Sequence, residues 1–148
     1  MDKKEALDGA RAFCSHRETC GAEVVRKLVS RGVPADWHQE ILDTLKREGY
    51  LDEMRFARAY VHDKIWLNQW GRVKVRYMLG TLHISREVTT QVLGELDEEQ
   101  YRDLLRSLLD RNRRSGSLRE QKPRLFRFAV ARGFENDLVL KELNRWEE

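Results

Sequence analysis

A repeating pattern of apolar residues divides the chain into three segments of about 50 residues. Cys20, Gly71 and Gln121 occupy equivalent positions in this pattern, 51 and 50 residues apart. At fixed distances after each of these positions an apolar residue recurs, in the groups Val24, Val75 and Leu125; Leu28, Leu79 and Ala129; Val33, Ile84 and Phe134; and Leu42, Leu93 and Leu143. Apolar spacings of three and four within each segment favour α-helix. The chain is therefore predicted to contain three copies of one helical unit.

Each unit is predicted to contain three helices, which gives an all-α fold of three tandem three-helix repeats in an elongated, curved stack. The predicted units are residues 1–50, 51–98 and 99–148. Their second helices are predicted at 21–31, 72–82 and 122–132, with Pro123 near a helix start, where a missing N–H costs little. Asp36, Ser85 and Asn136 are residue types that cap helix N-termini, so each is expected to open a third helix.

The composition agrees with a helical protein and gives no sign of a membrane segment. Charged residues make up 36% of the chain, and there are only 2 prolines and 9 glycines. No uncharged apolar run approaches the roughly 20 residues that span a bilayer. The first residues, Met1 to Glu5, lack the apolar stretch of a signal peptide. We expect a cytoplasmic protein that does not bind membranes.

The sequence contains no recognisable set of catalytic or metal-binding residues. Cys14, His16 and Cys20 would supply three metal ligands, whereas structural zinc normally takes four. The two cysteines are therefore expected to be buried thiols. No phosphate-binding glycine loop and no Ser or Cys in a nucleophile motif is present. We expect a protein that is not an enzyme and needs neither metal nor cofactor.

Positive charge is concentrated in the third unit, although the net charge of the chain is only +3. Residues 102–132 contain ten Lys and Arg but three Asp and Glu, a balance suited to a polyanion or an acidic protein surface. The candidate contact residues are Arg113, Arg114, Arg119, Lys122, Arg124, Arg127 and Arg132 in unit three, with Lys74 and Arg76 in unit two. Phe128 lies among these cations and could stack on bases or anchor an interface; packing against a neighbouring unit is the alternative. The irregular segment 112–117 is a candidate contact loop.

One stretch resembles the signature of a known family. Leu51-Asp52-Glu53-x-Arg55-Phe56-Ala57-x-x-Tyr60-Val61 is similar to the signature of the RecX family, regulators of the RecA recombinase. Gly71-x-x-Lys74-Val75-x-x-x-Leu79-x-x-x-x-Ile84 and Phe126-x-Phe128-Ala129-x-x-Arg132-Gly133-Phe134 resemble later blocks of the same family. Around Gly71 this chain has Gln69-Trp70-Gly71-Arg72-Val73 and lacks the proline and second glycine that many relatives carry, so the resemblance does not extend to the shape of this loop.

The resemblance implies a monomeric regulator of DNA recombination, DNA repair and the SOS response. Such a protein would lie along the groove of the RecA–DNA filament and dampen strand exchange, ATP hydrolysis and co-protease activity. It would contact single- or double-stranded DNA weakly or through the filament. The residues of the motif (Asp52, Arg55, Phe56, Ala57, Tyr60, Val61 and Gly71) would have structural roles. A stand-alone helical nucleic-acid-binding protein is the alternative that the basic third unit supports.

Overall fold

The computed structural model describes residues 1–146, which form nine α-helices and no strand. The helices are α1 (Lys3–His16), α2 (Gly21–Ser30), α3 (His38–Arg47), α4 (Glu53–His62), α5 (Arg72–Thr81), α6 (Arg86–Gly94), α7 (Glu98–Arg111), α8 (Leu118–Ala131) and α9 (Asn136–Leu143). A 3₁₀ turn, Ala35–Trp37, leads into α3, and a π-helical turn, Asp63–Leu67, extends α4. The predicted all-helical fold is confirmed.

The first helix of each unit begins in the same way. An aspartate at the N-cap accepts a hydrogen bond from the amide three residues later, in the pairs Asp2–Glu5 (2.8 Å), Asp52–Arg55 (2.9 Å) and Asp97–Gln100 (2.9 Å). Such a cap satisfies an amide that has no partner within the helix and typically contributes about 1 kcal/mol.

The second helix of each unit ends in the same left-handed turn. The second residue after the helix has a positive φ, +75° at Gly32, +62° at His83 and +98° at Gly133. The next amide then bonds back to the helix, in the pairs Val33–Leu28 (3.0 Å), Ile84–Leu79 (3.1 Å) and Phe134–Ala129 (3.1 Å). These are Schellman caps, for which glycine is the favoured residue because it has no Cβ. His83 adopts the conformation despite its side chain.

An ion pair closes each unit by joining its first helix to the end of its third. Two nitrogens of an arginine contact two carboxylate oxygens in the pairs Arg11–Glu48, Arg58–Glu95 and Arg106–Glu142. The third pair explains why Glu142 stands at the position of the repeat where units one and two have the apolar Ile41 and Val92. Its carboxylate is buried, and Arg106 supplies the charge-assisted hydrogen bonds that a buried carboxylate requires.

The predicted start of the second helix in unit three is wrong by four residues. Helix α8 begins at Leu118 instead of 122, and the Ser117 hydroxyl caps it by accepting a hydrogen bond from the Glu120 amide at 3.3 Å. Leu118 and Gln121 are buried, so the added turn packs against the protein. Pro123 consequently lies inside the helix.

Two of the three predicted caps of the third helices are also wrong. Ser85 caps α6 by accepting a hydrogen bond from the Val88 amide at 3.2 Å, as expected. Asp36 instead lies within the 3₁₀ turn. Asn136 is the first residue of α9, whose N-cap is Glu135. Glu135 makes no capping bond because its carboxylate binds two side chains of the neighbouring helices, as described below.

The hydrophobic core has two parts. Unit one has its own cluster around Val24, Leu28 and Leu45, whereas units two and three share a larger cluster that Cys20 also joins. The accessible surface is 9085 Å², against roughly 7,900 Å² expected of a compact monomer of 17.6 kDa. The excess is what an elongated stack of small units exposes.

Candidate interaction surface

Most residues of the sequence signature lie on α4, the first helix of unit two. Phe56, Ala57 and Val61 are buried in the larger core. Tyr60 is half-buried, with its ring centroid 5.7 Å from that of Phe56. Burial raises the pKa of the Tyr60 phenol, so the ring enters the core as a neutral group.

Arg55 joins unit two to unit one. Its Nε donates to the Glu18 carboxylate at 2.8 Å, and its Nη2 donates to the carbonyl oxygens of Gly49 (3.0 Å) and Tyr50 (3.3 Å). A planar guanidinium can hold a carboxylate and carbonyls at once, which a lysine ammonium does less specifically. The Arg55 side chain thus fixes the start of α4 against the end of α1 and the turn after α3.

Gly71 and Gly133 form the junction between units two and three. The Gly71 amide donates to the Arg132 carbonyl, and the Val73 amide donates to the Gly133 carbonyl, both at 2.9 Å. The start of α5 therefore meets the end of α8, which satisfies amides and carbonyls that a helix end leaves without partners. A Cβ on Gly71 would lie 2.2 Å from the Gly133 carbonyl carbon, so this approach requires glycine.

A polar cluster beside this junction was not predicted from the sequence. The Tyr101 hydroxyl accepts a hydrogen bond from the Arg72 amide (2.9 Å) and donates to Glu135 (2.7 Å). The Arg72 guanidinium binds Glu135 (2.7 Å) and Glu98 (2.6 Å) and lies 4.0 Å from the centre of the Tyr101 ring. No signal in the sequence could have identified this cluster, because the residues that bond to each other are 26 to 63 positions apart.

The charges of this cluster reinforce one another. Burial opposes ionisation of Arg72, but the hydrogen bond to Glu98 and the charge of Glu135 outweigh it and raise the pKa of Arg72. The bond from Arg72 lowers the pKa of Glu98. Burial, together with its bond to Glu135, raises the pKa of Tyr101 well above the usual value of a phenol. The cluster therefore keeps its charges at neutral pH and fixes the two units relative to each other.

Three of the candidate contact cations are held by backbone carbonyls. Arg132 donates through Nε to Gln69 (3.0 Å) and through Nη2 to Asn68. Arg124 donates to the Asn112 carbonyl at 2.8 Å, and Lys122 donates to the Trp146 carbonyl at 3.3 Å. Arg132 therefore joins unit three to the loop before α5, and Arg124 joins α8 to the loop after α7. A carbonyl does not neutralise these cations, so their positive charge remains.

Aromatic rings hold two further candidates. The Lys74 ammonium lies 4.2 Å from the centre of the Trp70 ring, and the Arg113 guanidinium lies 4.3 Å from that of Trp146. Phe128 is half-buried against the shared core, with the Arg132 guanidinium 5.8 Å from its ring centre. Phe128 thus packs partly against the core that units two and three share, and its contact with a ligand stays a prediction.

The remaining candidates are exposed. Arg76 donates to the Thr90 hydroxyl at 3.2 Å and so lies towards α6. Arg114 uses its backbone amide, bonded to Gln121 at 2.7 Å, while its side chain is on the surface. Arg127 is exposed in the middle of α8, and Arg119 is exposed in the first turn of that helix.

We call a set of cations of units two and three the basic surface: Lys74, Arg113, Arg114, Arg124, Arg127 and Arg132. Helix α8 carries Arg124 and Arg127, Arg132 directly follows its last residue, the loop before it carries Arg113 and Arg114, and Gly133 brings Lys74 to its end. Within residues 1–146 none of these side chains pairs with a carboxylate, in contrast to Arg58, Arg72 and Arg106. Arg76 lies apart from this set. The structure thus places unneutralised positive charge along one helix.

Helix α5 also exposes apolar side chains. Val73 and Tyr77 are 54% and 71% exposed and lie four residues apart, on the side away from the buried Val75 and Leu79. The spacing of these two residues is visible in the sequence, but the apolar pattern of Val75 and Leu79 in the same helix is the stronger signal because it recurs in all three units. No helix within residues 1–146 is long and apolar enough to cross a membrane.

Comparisons with known proteins agree with this architecture. Residues 52–93 match the second three-helix domain of RecX. The chain is 27% identical to the regulatory protein RecX of Chromohalobacter salexigens, over 99% of this chain and 98% of that one. It is 34% identical to RecX of Xanthomonas axonopodis pv. citri over 61% of this chain and 57% of the relative. It is 29% identical to RecX of Geobacillus kaustophilus, of which it spans about half the length (52%).

Solved structures share the fold. The crystal structure of RecX from Lactobacillus salivarius superposes with a TM-score of 0.85 at 18% identity, covering 97% of this chain and 95% of that one. A second crystal structure, of a regulatory protein RecX, gives a TM-score of 0.88 at 19% identity and covers 97% of this chain and 73% of the other. Together with the α4 signature and the nine-helix architecture of residues 1–146, these similarities support a protein of the RecX family of regulatory proteins.

Proposed function

We propose that this protein binds the RecA–DNA filament and inhibits its recombinase, ATPase and co-protease activities. The observation that carries the proposal is the basic surface, whose cations have no carboxylate partner within residues 1–146 in a chain where many other arginines do. Unneutralised charge on a protein surface attracts an anionic partner and accelerates its encounter. A nucleoprotein filament presents such charge as a continuous array of phosphates.

The fold supports binding by occupancy. Units two and three share one core, and the Gly71–Gly133 junction together with the cluster of Arg72, Tyr101 and Glu135 fixes their relative position. The basic surface is therefore held in place before binding, which limits the entropy lost when the partner is bound. An elongated protein seated on several protomers would restrain the motions that accompany RecA turnover without carrying out any chemistry.

The direct test is ATP hydrolysis by RecA on single-stranded DNA, titrated with the protein. We expect the rate to fall with added protein. The variant Arg114→Glu/Arg127→Glu should require a higher concentration for the same effect. A control with the same change in charge, Arg31→Glu/Arg47→Glu, alters exposed cations of unit one and should inhibit like the parent. Unchanged hydrolysis at saturating protein would refute the proposal.

The same purified protein can be used to distinguish a regulator of the filament from a stand-alone nucleic-acid-binding protein. A stand-alone nucleic-acid-binding protein would bind single-stranded DNA as tightly without RecA as with it. A regulator of the filament should bind naked DNA more weakly at the same salt concentration, because affinities for DNA can be compared only at a fixed salt concentration. Fluorescence anisotropy of labelled DNA, with and without RecA, measures both affinities.

A further inference from the structure

The two junctions between units are built from equivalent elements but differ in how closely those elements approach. Between units two and three, the start of α5 meets the end of α8 through Gly71 and Gly133. In the repeat, Cys20 and His83 occupy the corresponding positions between units one and two. The start of α2 should therefore meet the end of α5 there.

That contact does not form, and a groove takes its place. A Cβ on Gly133 would lie 2.3 Å from the Lys74 Cβ, and one on Gly71 would lie 2.2 Å from the Gly133 backbone, so the close junction tolerates no side chain on either side. Cys20 and His83 both have one. Between them lies an open groove of about 790 Å³, with Cys20, Gly21 and Ala22 on one wall and residues 81–84 on the other.

The wall formed by unit one has a backbone donor without a partner. In α5 the Arg72 amide bonds to the Tyr101 hydroxyl and the Val73 amide bonds to the Gly133 carbonyl. In α2 the N-cap residue is Cys20, whose thiol bonds to the Glu23 carboxylate at 3.8 Å and contacts the Ala22 and Glu23 amides, whereas no acceptor within residues 1–146 reaches the Gly21 amide.

A buried hydroxyl beside this amide also lacks a partner. Thr19 lines the groove and is 1% exposed, and its Oγ1 forms no hydrogen bond within residues 1–146. A buried polar atom without a partner costs free energy that an incoming acceptor would recover. Since the start of a helix favours negative charge, that acceptor is best an anion.

Two cations of the groove can bind the same ligand. Arg26 and Lys46 line it, are exposed, and pair with no carboxylate within residues 1–146. The lining also holds two carboxylates, which keep their charge but are bonded to backbone amides: Asp52 accepts the Arg55 amide at 2.9 Å and Glu53 accepts the Ser85 amide at 2.5 Å.

The lining of the groove also contains apolar side chains, such as Val25, Leu42 and Leu82. A phosphate backbone has no apolar group to place against them, whereas a polypeptide segment can place both a carboxylate and apolar side chains. The ligand that fits is therefore an acidic, apolar segment of a protein.

We infer that this groove binds an acidic, apolar segment of a RecA protomer in the filament, an identification of the partner that rests on the proposed function. A carboxylate of the segment accepts hydrogen bonds at the start of α2, with Arg26 and Lys46 flanking it, and its apolar side chains cover Val25, Leu42 and Leu82. The segment thereby fills between units one and two the space that direct contact closes between units two and three.

The first test compares two pairs of charge reversals for binding to RecA filaments on single-stranded DNA. Arg26→Glu/Lys46→Glu reverses the cations of the groove. Lys27→Glu/Arg47→Glu makes the same change one residue further on in the same two helices, outside the lining. We expect the groove variant to bind at least about tenfold more weakly and the control to stay within about threefold of the parent. Equal affinities of the two variants would overturn the inference.

The second test identifies what occupies the groove. Cys14 and Cys20 are buried, so a benzophenone maleimide should attach selectively to a cysteine introduced as Lys46→Cys, with Arg47→Cys as the control. We expect light-induced crosslinking from position 46 to a RecA peptide that contains Asp or Glu. A crosslink to DNA, or none while the filament is bound, would overturn the inference. A parent protein that binds no filament would defeat the proposed function as well.

Discussion

Gly71 and Gly133 lie so close together that a Cβ on Gly71 would be 2.2 Å from the Gly133 carbonyl carbon. The two residues are 62 positions apart in the sequence, and no motif relates them. Their contact lets the Gly71 and Val73 amides bond to the carbonyls that end α8. One pair of glycines thus determines how unit two meets unit three.

We expect Gly71→Ala to destabilise the protein by about 1–3 kcal/mol, because the backbone of Gly133 must move to make room for the methyl group. Gly80→Ala is a matched control in the same helix, where a Cβ would have nothing within 4 Å. It should stabilise by up to about 1 kcal/mol, since alanine is the better helix former. Urea denaturation followed by circular dichroism measures both. Shifts of the same sign in the two variants would contradict the proposed crowding.

The three ion pairs that close the units should differ in importance. The side chain of Glu142 is 4% exposed, against 38% for Glu48 and 41% for Glu95. Removing the arginine leaves a buried carboxylate only in unit three, where the exposed Arg145, 3.6 Å away, replaces two short bonds with one longer contact, and a poorly paired buried charge is far more costly than an exposed one. We expect the fall in Tm to be largest for Arg106→Gln and smaller for Arg58→Gln and Arg11→Gln. Equal falls in the three variants would show that burial of the partner does not matter.

The pair in unit two should also contribute to the acid sensitivity of the fold. The hydrogen bond from Arg58 lowers the pKa of Glu95 below its ordinary value. The pair therefore stabilises the fold fully above the unfolded pKa of about 4.3, and this contribution is lost as pH falls through the lower, folded pKa. We expect Arg58→Gln to be less stable than the parent at pH 7 and the difference to shrink towards pH 3. Denaturation midpoints at the two pH values test this, and a constant difference would argue against it.

Much of the fold could be predicted from local sequence, because apolar spacing and capping residues act over a few positions. The register of Leu28, Leu79 and Ala129, for example, matches the residues whose carbonyls accept the bonds of the three left-handed turns. The errors arose where two local signals competed. Pro123 suggested a helix start, but the Ser117 cap and the burial of Leu118 place that start five residues earlier than the proline.

The site was predicted less well, since exposure and pairing depend on residues distant in sequence. In the sequence, Arg124, Arg127 and Arg132 are equally good candidates for contact with a partner, because all three lie in the basic stretch 102–132. The structure distinguishes them, because carbonyls of Asn112 and Gln69 hold Arg124 and Arg132 while Arg127 is exposed. The groove between units one and two could not be predicted from the sequence for the same reason. It exists because Cys20 and His83, which are distant in sequence, prevent a close contact there.

Thr19→Val should separate stability from binding. The Thr19 hydroxyl is buried without a partner in the described chain, and valine has nearly the same shape, so the variant should be more stable by up to about 1 kcal/mol. The same change removes a donor from the proposed groove and should weaken binding to the RecA filament. Thr44→Val is the control, because the Thr44 hydroxyl bonds to the Glu40 carbonyl and its loss should slightly destabilise the protein. A gain in stability without any loss of affinity would show that the partner does not use the hydroxyl.

The salt dependence of binding tests the basic surface most directly. If Arg114 and Arg127 each neutralise one phosphate, the logarithm of the affinity for single-stranded DNA in the filament falls with the logarithm of salt concentration by about 0.7 per contact. Arg114→Ala/Arg127→Ala should flatten this slope by roughly 1–1.5, while stability changes by no more than about 0.5 kcal/mol per exposed residue. Arg132→Ala should behave differently, because its bonds to Asn68 and Gln69 hold two units together, so its main effect should be on stability. If the double variant kept both the slope and the affinity of the parent, these arginines would not be phosphate contacts, and Lys74 and Arg76 would be the next cations to change.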